Sequence, residues 1–600
     1  MRKFKLLFKL LIDRTGTTRH KRTKDRISVI VAIFGVLVVA ISMTVLLSPV
    51  VNQAQRRGRV GSLPKKFADK VPKQIKDQLT LYTGSSGLTA AKVLGVTQIM
   101  GKQLEKGGGS PGKAKTKKLN DVGIGVSDLD ENEPTVVASP KDKKKLVAGS
   151  HLVTFSLISC VAYTSADRGT TWTAPVAMAQ LTATSFCSDP VLAYAPNGNR
   201  VYFAYMDVKQ DFTEFPLPTL TIDYDILVSF SDNDGASWTG PVVALDGEPT
   251  IFVFDPDTGE IVSFTPGFVY DKPWIGTHVD RSQNDRAYVS ATRIDIFDPI
   301  FPGDCHIAFA GSDALGVSGS WNSPTLLDSS SGGCGIPFLV SGSRPKGGLG
   351  GDVVVAWYNS GSDGFLNGSF EIRTRRSPDH GATWDSTFVA SFDSFEVPAF
   401  LGPNFFYHRW SGTMFPDLEI DSKGGAHIVY THDPDPNFAS PEDGDIRYIS
   451  SPGPPYASWS PPVTVNDDGL ERAQGYAALN IRGGGELHVI WEDHRLSTSL
   501  PTSTPEDCFF NGICNSPNLF YDIFSSTKKG ASWSRNFRVS DASSISEGGP
   551  FAGFIGDYID LAANDTTLFG IWTDRRHQTS VFALEDNVFG SRIIAGGGAP

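Results

Sequence analysis

Basic residues are scarce over most of this chain. The first 120 residues contain 25 Lys and Arg against 5 Asp and Glu, whereas residues 121–600 contain 29 against 60. Binding to nucleic-acid phosphates needs clustered Lys and Arg. The acidic part of the chain therefore argues against a nucleic acid as the natural partner, and the basic N-terminal part needs a separate explanation.

Cysteine is also rare, with six residues in 600, and all six follow residue 120. No C-x-x-C or H-x-x-x-H pattern lies near them, which disfavours a zinc site. The six form three pairs that are close in sequence, and an even number in an oxidising compartment indicates disulfides. We expect three bonds: Cys160–Cys187, Cys305–Cys334 and Cys508–Cys514.

Charge is absent from residues 27–47, a run of 21 residues with the sequence ISVIVAIFGVLVVAISMTVLL. At about 1.5 Å per residue, such a helix spans a hydrocarbon core of roughly 30 Å. Ten basic residues precede it, so residues 1–26 are predicted to be a cytoplasmic tail. Residues 48–120 are then a stalk, and residues 121–600 lie outside the cytoplasm. A cleaved signal peptide is the alternative, and it would export the same part of the chain.

Glycine and proline are abundant, with 61 and 38 residues, which indicates many turns between short strands. From residue 121 the chain repeats at a spacing of about 70 residues, longer than compact propeller repeats of ~40–50 residues. The seventh unit lacks a fourth strand, which residues 122–126 would supply by closing the ring. We predict an all-β propeller of four-stranded blades, with seven blades favoured and six possible. The units open near Pro134, Pro190, Pro273, Pro337, Asp417, Gly475 and Asp557.

The third strand of several units ends in a recurring turn. Two turns fit S-x-D-x-G-x-T-W, and two others differ at the Asp. Their residues are Ser165, Asp167, Gly169 and Trp172; Ser377, Asp379, Gly381 and Trp384; Ser231, Gly235 and Trp238; and Ser526, Gly530 and Trp533. This pattern resembles the Asp-box (BNR) repeat of sialidases and related propellers. The Ser and Asp side chains suit backbone N–H bonding in a tight turn, so we assign these residues to folding.

Acidic and tyrosine residues mark the openings of several units, where inner strands of a propeller would meet. Such a ring suits a cation, a sugar with many hydroxyls, or an acid/base pair. The alternative is that each carboxylate bonds locally to its strand. The catalytic candidates are Asp189, Asp271, Asp417, Asp557, Tyr476 and Tyr558, and Glu133 is a candidate for ligand binding.

The sixth and seventh units contain similar motifs, Trp491-Glu-Asp493-His-Arg495 and Trp572-Thr-Asp574-Arg575-Arg576. Asp and Arg two residues apart suit a structural ion pair at a strand exit. An exposed Trp beside them would instead suit stacking on a sugar ring. The structural pair is favoured, since such pairs are common.

The resemblance to sialidases implies three arginines that hold a substrate carboxylate, a Tyr activated by a Glu, and an Asp as acid/base. The family's first arginine lies in an F/Y-R-I-P phrase, but the matching stretch here reads Asn132-Glu133-Pro134-Thr135. This departure argues against the family's activity. The remaining candidate arginines are Arg344, Arg409, Arg472 and Arg575.

These observations predict a membrane-anchored, extracytoplasmic propeller that recognises glycans or a surface protein without sialidase activity. One alternative is a divergent exo-acting glycoside hydrolase that uses the central carboxylates. Another is a scaffold for surface-protein assembly, which would show a broad apolar patch. No cofactor is expected, and calcium is the one metal that the carboxylates leave open.

Overall fold

The computed structural model describes fourteen stretches between residues 121 and 593. They are 121–126, 130–153, 158–279, 284–297, 303–312, 321–330, 339–360, 369–393, 415–432, 444–470, 472–497, 520–545, 555–576 and 586–593. Their regular structure is β-strand alone, and none of them contains a helix that could span a bilayer. The predicted tail, membrane helix and stalk (1–26, 27–47 and 48–120) lie outside these stretches.

The described strands form seven antiparallel sheets, which we call blades 1 to 7. A short strand, β1 (Val122–Gly125), comes first. Blade 1 contains β2 (Thr135–Ala138), β3 (Leu146–Val153), β4 (Ile158–Ser165) and β5 (Val176–Ala177). Blade 2 contains β6 (Phe186–Tyr194), β7 (Val201–Thr213), β8 (Thr219–Ser231), β9 (Val242–Leu245), β10 (Thr250–Phe254) and β11 (Ile261–Thr265). Blade 3 contains β12 (Gly267–Val279), β13 (Asp285–Ile296), β14 (Cys305–Gly311) and β15 (Thr325–Ser330).

The other four blades follow in chain order. Blade 4 contains β16 (Val340–Gly347), β17 (Val353–Asn359), β18 (Phe370–Ser377) and β19 (Phe388–Asp393). Blade 5 contains β20 (Asp417–Ile420), β21 (Ala426–His432), β22 (Asp445–Ser451) and β23 (Val463–Thr464). Blade 6 contains β24 (Gln474–Arg482), β25 (Glu486–Asp493), β26 (Phe520–Lys529), β27 (Ser532–Trp533), β28 (Phe537–Arg538) and β29 (Ser544–Ile545). Blade 7 contains β30 (Asp560–Ala563), β31 (Leu568–Asp574) and β32 (Asn587–Arg592), and β1 completes it.

The first strands of the blades form a closed ring. β2 lies beside β6, and the series continues through β12, β16, β20, β24 and β30 back to β2. The described sheets therefore form a β-propeller, and the count of seven blades is confirmed over six. Blades 2 and 6 differ from the predicted four strands, because each carries two additional strands.

The ring closes between the two ends of the described chain. β1 pairs antiparallel with β32, with Val122 opposite Gly590 and Gly123 opposite Phe589. The side chain of Asp121 adds an ion pair, since Arg576 Nη2 lies 2.6 Å from Asp121 Oδ2. The prediction that residues 122–126 supply the missing strand is confirmed for Val122–Gly125.

Three of the four predicted turns, those of Ser165, Ser231 and Ser377, make the expected local bonds. The prediction is wrong for the fourth, because Ser526 Oγ donates to the Ser534 carbonyl at 2.9 Å. Ser165 Oγ accepts from the Gly169 N–H at 2.9 Å, and Asp167 Oδ1 accepts from the Thr171 N–H at 2.9 Å. The Ser377 turn repeats the same bonds. Trp172 lies 5.6 Å from Phe569 of blade 7, and Trp384 lies 4.8 Å from Phe309 of blade 3, so both rings pack on the preceding blade. Trp238 instead lies 5.5 Å from Phe203 of its own blade. The Ser165 and Ser377 turns therefore hold neighbouring blades together.

A side-chain hydrogen bond crosses each of the seven junctions between blades. These hydrogen bonds add to the apolar contacts that hold neighbouring sheets together. In order from the junction of blades 7 and 1, the pairs are Thr135–Asp560 (2.9 Å), Leu192–Thr135 (3.1 Å), Thr277–Tyr194 (2.6 Å), Thr292–Ser341 (3.0 Å), Lys346–Glu419 (2.7 Å), Leu479–Asp417 (2.7 Å) and Asn480–Leu561 (2.7 Å).

One cysteine pair lies within the described residues. Cys160 of β4 is bonded to Cys187 of β6, so the bond joins blades 1 and 2, as predicted. Cys305 is also disulfide-bonded. Its predicted partner Cys334 lies outside the described residues, as do Cys508 and Cys514, and those two pairings stay predictions.

Blade 2 carries a crowded acidic face that makes its stability depend on pH. Burial, followed by the charges of Asp223, Asp246 and Asp207, raises the pKa of Asp225 from 3.8 to about 7, although the Gly247 N–H opposes the shift. The folded state thus keeps a proton that the unfolded chain releases, so this group lowers stability as pH rises from about 4 to about 7. Asp225→Asn keeps the Gly247 acceptor and should raise the urea midpoint at about pH 8 but leave it unchanged at about pH 4. An equal gain at both pH values would contradict the assignment.

Candidate functional site

A backbone irregularity recurs at the inner edge of the propeller. The register of both β6 and β12 shifts at a bulge near the start of the strand. There, and just before β2, non-glycine residues have left-handed conformations, with φ of 52° at Glu133, 50° at Asp189 and 52° at Lys272. Each such residue costs about 1–3 kcal/mol. A bulge re-aims a side chain, and here it brings side chains of different blades together.

The side chains of these three residues meet that of Asp557 in the interior. We call the four residues the axial cluster: Glu133, Asp189, Lys272 and Asp557. Lys272 Nζ lies 2.7 Å from Asp189 Oδ1 and 3.8 Å from Glu133 Oε1, and it directly contacts Asp557 Oδ2. None of the four is more than 4% exposed. Burial alone would lower the pKa of Lys272, but the carboxylates of Asp189, Asp557 and Glu133 outweigh burial and raise it.

His151 borders the axial cluster in its neutral form. The Asp189 backbone N–H donates to His151 Nε2 at 2.9 Å, so Nε2 carries no proton. The proton is therefore on Nδ1, which lies 3.3 Å from Glu133 Oε2 and 3.1 Å from Asn132 Oδ1. The ammonium of Lys272 thus supplies the positive charge among three carboxylates. Because all of these groups are buried, removal of that charge would leave the carboxylates uncompensated.

A small pocket lies next to the cluster, and we call it the axial pocket. It is lined by Trp274, Arg344, Asp417, Tyr476, Tyr558 and Asp560. The Arg344 guanidinium stacks 3.3 Å above the Trp274 ring, and its Nε lies 3.7 Å from Asp417 Oδ1. Within the described residues that buried Nε has no hydrogen-bond partner. Burial lowers the pKa of Arg344 to about 10, against the opposing charge of Asp417.

The axial pocket continues into a cavity of about 250 Å³ between the first strands of the blades. Trp274, Asp417 and Asp560 line both spaces. Lys346 and Glu419 add an ion pair of 2.7 Å to the wall of the cavity. Burial raises the pKa of Asp560 to about 6, although the Val136 and Leu561 backbone N–H groups oppose the shift.

Three carboxylates of the axial cluster lie close enough together to bind a divalent cation. Oxygens of Glu133, Asp189 and Asp557 lie within 4.8 Å of one another. A carboxylate trio of this kind suits calcium, but the Lys272 ammonium lies among these oxygens and supplies the positive charge. The residues present therefore fit a lysine better than a metal, and calcium binding stays a prediction.

The structure brings most of the predicted central residues together. Asp189, Asp557 and Glu133 meet in the axial cluster, whereas Asp417, Tyr476 and Tyr558 line the axial pocket. Asp271 lies in β12 opposite Thr292, and its neighbour Lys272 enters the cluster instead.

Sequence reasoning missed Lys272, although a signal for it exists. Glu133, Asp189 and Lys272 each stand directly before a proline at the start of a unit. The matching position of the third unit is therefore Lys272 and not Asp271.

The two Trp-x-Asp-x-Arg phrases form structural ion pairs. Asp493 accepts from Trp491 Nε1 at 2.7 Å and from Arg495 Nε at 2.9 Å, and Asp574 makes the same bonds in blade 7. Trp491 and Trp572 are at most 1% exposed. Neither ring is therefore available for stacking on a sugar.

The candidate arginines separate into different surroundings. Arg344 lines the axial pocket. Arg575 is buried in blade 7, where its Nε lies 2.5 Å from Asp586 Oδ1. Arg472 is half-buried just before β24, and Arg409 lies outside the described residues. Among the described candidates, one arginine lines the pocket.

A Tyr–Glu pair exists, but in another part of the molecule. Tyr163 Oη donates to Glu131 Oε2 at 2.6 Å inside blade 1. Neither residue lines the axial pocket. Burial, followed by the Glu131 charge, raises the pKa of Tyr163, which disfavours the phenolate.

Neither a family model nor a curated protein matches the chain. Solved structures that match include the Hadza microbial sialidase, with 12% identity and a TM-score of 0.35. The match covers 61% of this chain and 63% of that chain. A sialidase from Streptococcus pneumoniae matches with 13% identity, 80% and 70% coverage, and a TM-score of 0.36. An α-L-arabinofuranosidase from Fusarium graminearum matches with 10% identity, 79% and 97% coverage, and a TM-score of 0.38. The chain thus spans under two thirds of the first of these, and the propeller assignment rests on the seven sheets themselves.

Proposed function

We propose that this protein is a membrane-anchored, extracytoplasmic propeller of the Asp-box, sialidase-like kind that binds an acidic glycan without hydrolysing it. The anchor is the uncharged run of residues 27–47. The ligand site is the axial pocket with the adjoining cavity. The cavity has a volume of about 250 Å³, slightly below the ~300 Å³ of the smallest common ligand pockets, and the axial pocket beside Arg344 adds about 10 Å³. We therefore expect the cavity to accept one terminal sugar and the pocket to admit only a small group of it.

The surroundings of Arg344 carry this proposal. Its guanidinium is 6% exposed, stacks on Trp274, and presents an Nε without a hydrogen-bond partner among the described residues. Leaving such a donor unsatisfied costs roughly 1–3 kcal/mol or more. A carboxylate of the ligand would satisfy it by a charge-assisted bond. Tyr476 and Tyr558 also line the pocket, and the Tyr558 hydroxyl donates to the Pro190 carbonyl at 2.8 Å.

The carboxylates around the pocket are already occupied by structural bonds. Asp417 accepts from the Leu418 and Leu479 N–H groups at 3.0 and 2.7 Å. Asp560 accepts from Thr135 Oγ1 at 2.9 Å and from a backbone N–H. A glycosidase needs two carboxyl groups that face the sugar and exchange protons with it. These bonds support a binding role.

One observation favours a divergent glycoside hydrolase as the second candidate. Asp560 shares the cavity with Asp417, and its pKa is raised to about 6. A raised pKa is what a general acid requires. Under this alternative the protein hydrolyses a terminal sugar, and Asp560→Asn abolishes turnover without abolishing binding.

Binding is tested with Arg344→Lys. Calorimetric titration with uronic-acid and sialic-acid oligosaccharides, and with neutral ones, should show binding of an acidic ligand that weakens by about 10- to 100-fold in the variant. Arg200→Lys is the matched control, because Arg200 also stacks on a ring (Phe230, 3.7 Å) and pairs with an aspartate (Asp232, 2.6 Å) outside the pocket. Equal binding by Arg344→Lys and the unsubstituted protein would remove Arg344 from the site. Release of free sugar by the unsubstituted protein would favour the hydrolase.

A further inference from the structure

The axial cluster holds an amine and a carboxyl group in direct contact inside the protein. Lys272 Nζ of blade 3 contacts Asp557 Oδ2, which comes just before the first strand of blade 7. Two more carboxylates lie around the same nitrogen, Asp189 at 2.7 Å and Glu133 at 3.8 Å. The side chains of all four are between 0% and 4% exposed.

We propose that Lys272 and Asp557 become joined by an intramolecular amide bond between Nζ and Cγ, with Glu133 and Asp189 as proton carriers. The bond would be a covalent cross-link between blades 3 and 7. Asp557 also lines the axial pocket, and the cross-link requires no ligand there.

The reaction balances without any added reagent. One proton passes from the Lys272 ammonium to the Asp557 carboxylate, directly or through Asp189. The free amine attacks Asp557 Cγ, and the new N–C bond gives a tetrahedral intermediate. A second proton passes from the nitrogen through Glu133 to a departing oxygen, the C–O bond breaks, and one water leaves. Glu133 and Asp189 end in their starting forms.

Burial and fixed geometry favour this step. In water a lysine and an aspartate remain an ion pair, but a poorly solvated interior lowers the cost of the neutral amine and acid relative to the charged pair. Holding two reacting groups in contact is equivalent to effective molarities of about 10⁵–10⁸ M in favourable cases. The carboxylates that raise the pKa of Lys272 keep the free amine a minor form, so we expect slow formation after folding.

The backbone conformation around the cluster allows these side chains to approach one another. Glu133 and Lys272 hold left-handed conformations, with φ of 52° each, that side chains rarely adopt. Gly556, with φ of 103°, precedes Asp557. A Cβ at Gly556 would lie 2.8 Å from the Glu133 backbone nitrogen. Glycine therefore allows the chain before Asp557 to lie directly against Glu133.

The test is the intact mass of the reduced, denatured full chain. The unsubstituted protein should weigh about 18 Da less than its Lys272→Arg variant, after correction for the substitution, because one water is lost. Lys272→Arg keeps the positive charge but removes the amine. Asp557→Asn should still cross-link, with a loss of about 17 Da because ammonia leaves instead. Glu133→Gln should slow or prevent the mass loss.

Peptide mapping identifies the position of the bond. A proteolytic fragment that contains residue 272 joined to the fragment that contains residue 557 supports the proposal. A full mass in the folded, unsubstituted protein overturns it and leaves an ion pair only. A loss of the same mass without joined fragments overturns it as well, since a cyclised aspartate gives that loss within one peptide.

Discussion

Replacing Lys272 by methionine is expected to lower the free energy of unfolding by about 3–5 kcal/mol, since removing one partner leaves buried charges uncompensated. The three carboxylates of the axial cluster, at most 1% exposed, would remain without the ammonium that now lies among them. Urea denaturation followed by tryptophan fluorescence measures the effect as a shift in midpoint. This prediction applies to the ion-paired form, since Lys272 and Asp557 carry no charge once the proposed amide joins them.

Lys143→Met is the matched control for this prediction. Lys143 also pairs with a carboxylate, Asp565 at 2.7 Å, but the two side chains are 47% and 62% exposed. An exposed pair contributes little to stability, so the control should leave the midpoint nearly unchanged. Equal shifts in both variants would contradict the view that the axial cluster depends on Lys272 for charge balance.

Deleting residues 121–126 is expected to open the propeller. The deletion removes β1, exposes the unpaired edge of β32, and takes Asp121 away from Arg576. An exposed strand edge promotes association between chains. We expect a loss of about 3–5 kcal/mol in unfolding free energy, from the lost strand pairing and from buried Ile124, together with oligomers in light scattering.

Removal of six residues from the predicted stalk, 107–112, is the control for chain length. This change shortens the same part of the chain but leaves every described strand intact. It should leave both the midpoint and the monomer fraction unchanged. If the two deletions behave alike, β1 does not hold the ring closed.

The parts of the fold that follow from local patterns were predictable from the sequence. The turn of Ser165 and Asp167 is built by bonds within five residues, and the closing strand follows from the three strands of the last unit. The Cys160–Cys187 bond followed from closeness in sequence. Such features need no knowledge of how distant segments meet.

The composition of the site was less predictable, because it depends on the exact register of several strands. A bulge turns Lys272 rather than Asp271 into the axial cluster. Arg344 was one of four candidate arginines, and its position in the axial pocket against Trp274 distinguishes it. The sequence contains all of these residues, but the contacts among blades 1, 2, 3 and 7 arise from the closed ring.

The position of β1 has a mechanical consequence. The predicted tether runs directly into Asp121 and β1, the strand that closes the ring. If residues 27–47 anchor the chain as proposed, a pull on that anchor would reach the pairing of β1 with β32 before any other pair of strands. The other blades are each folded from a continuous stretch of chain and would bear the load later.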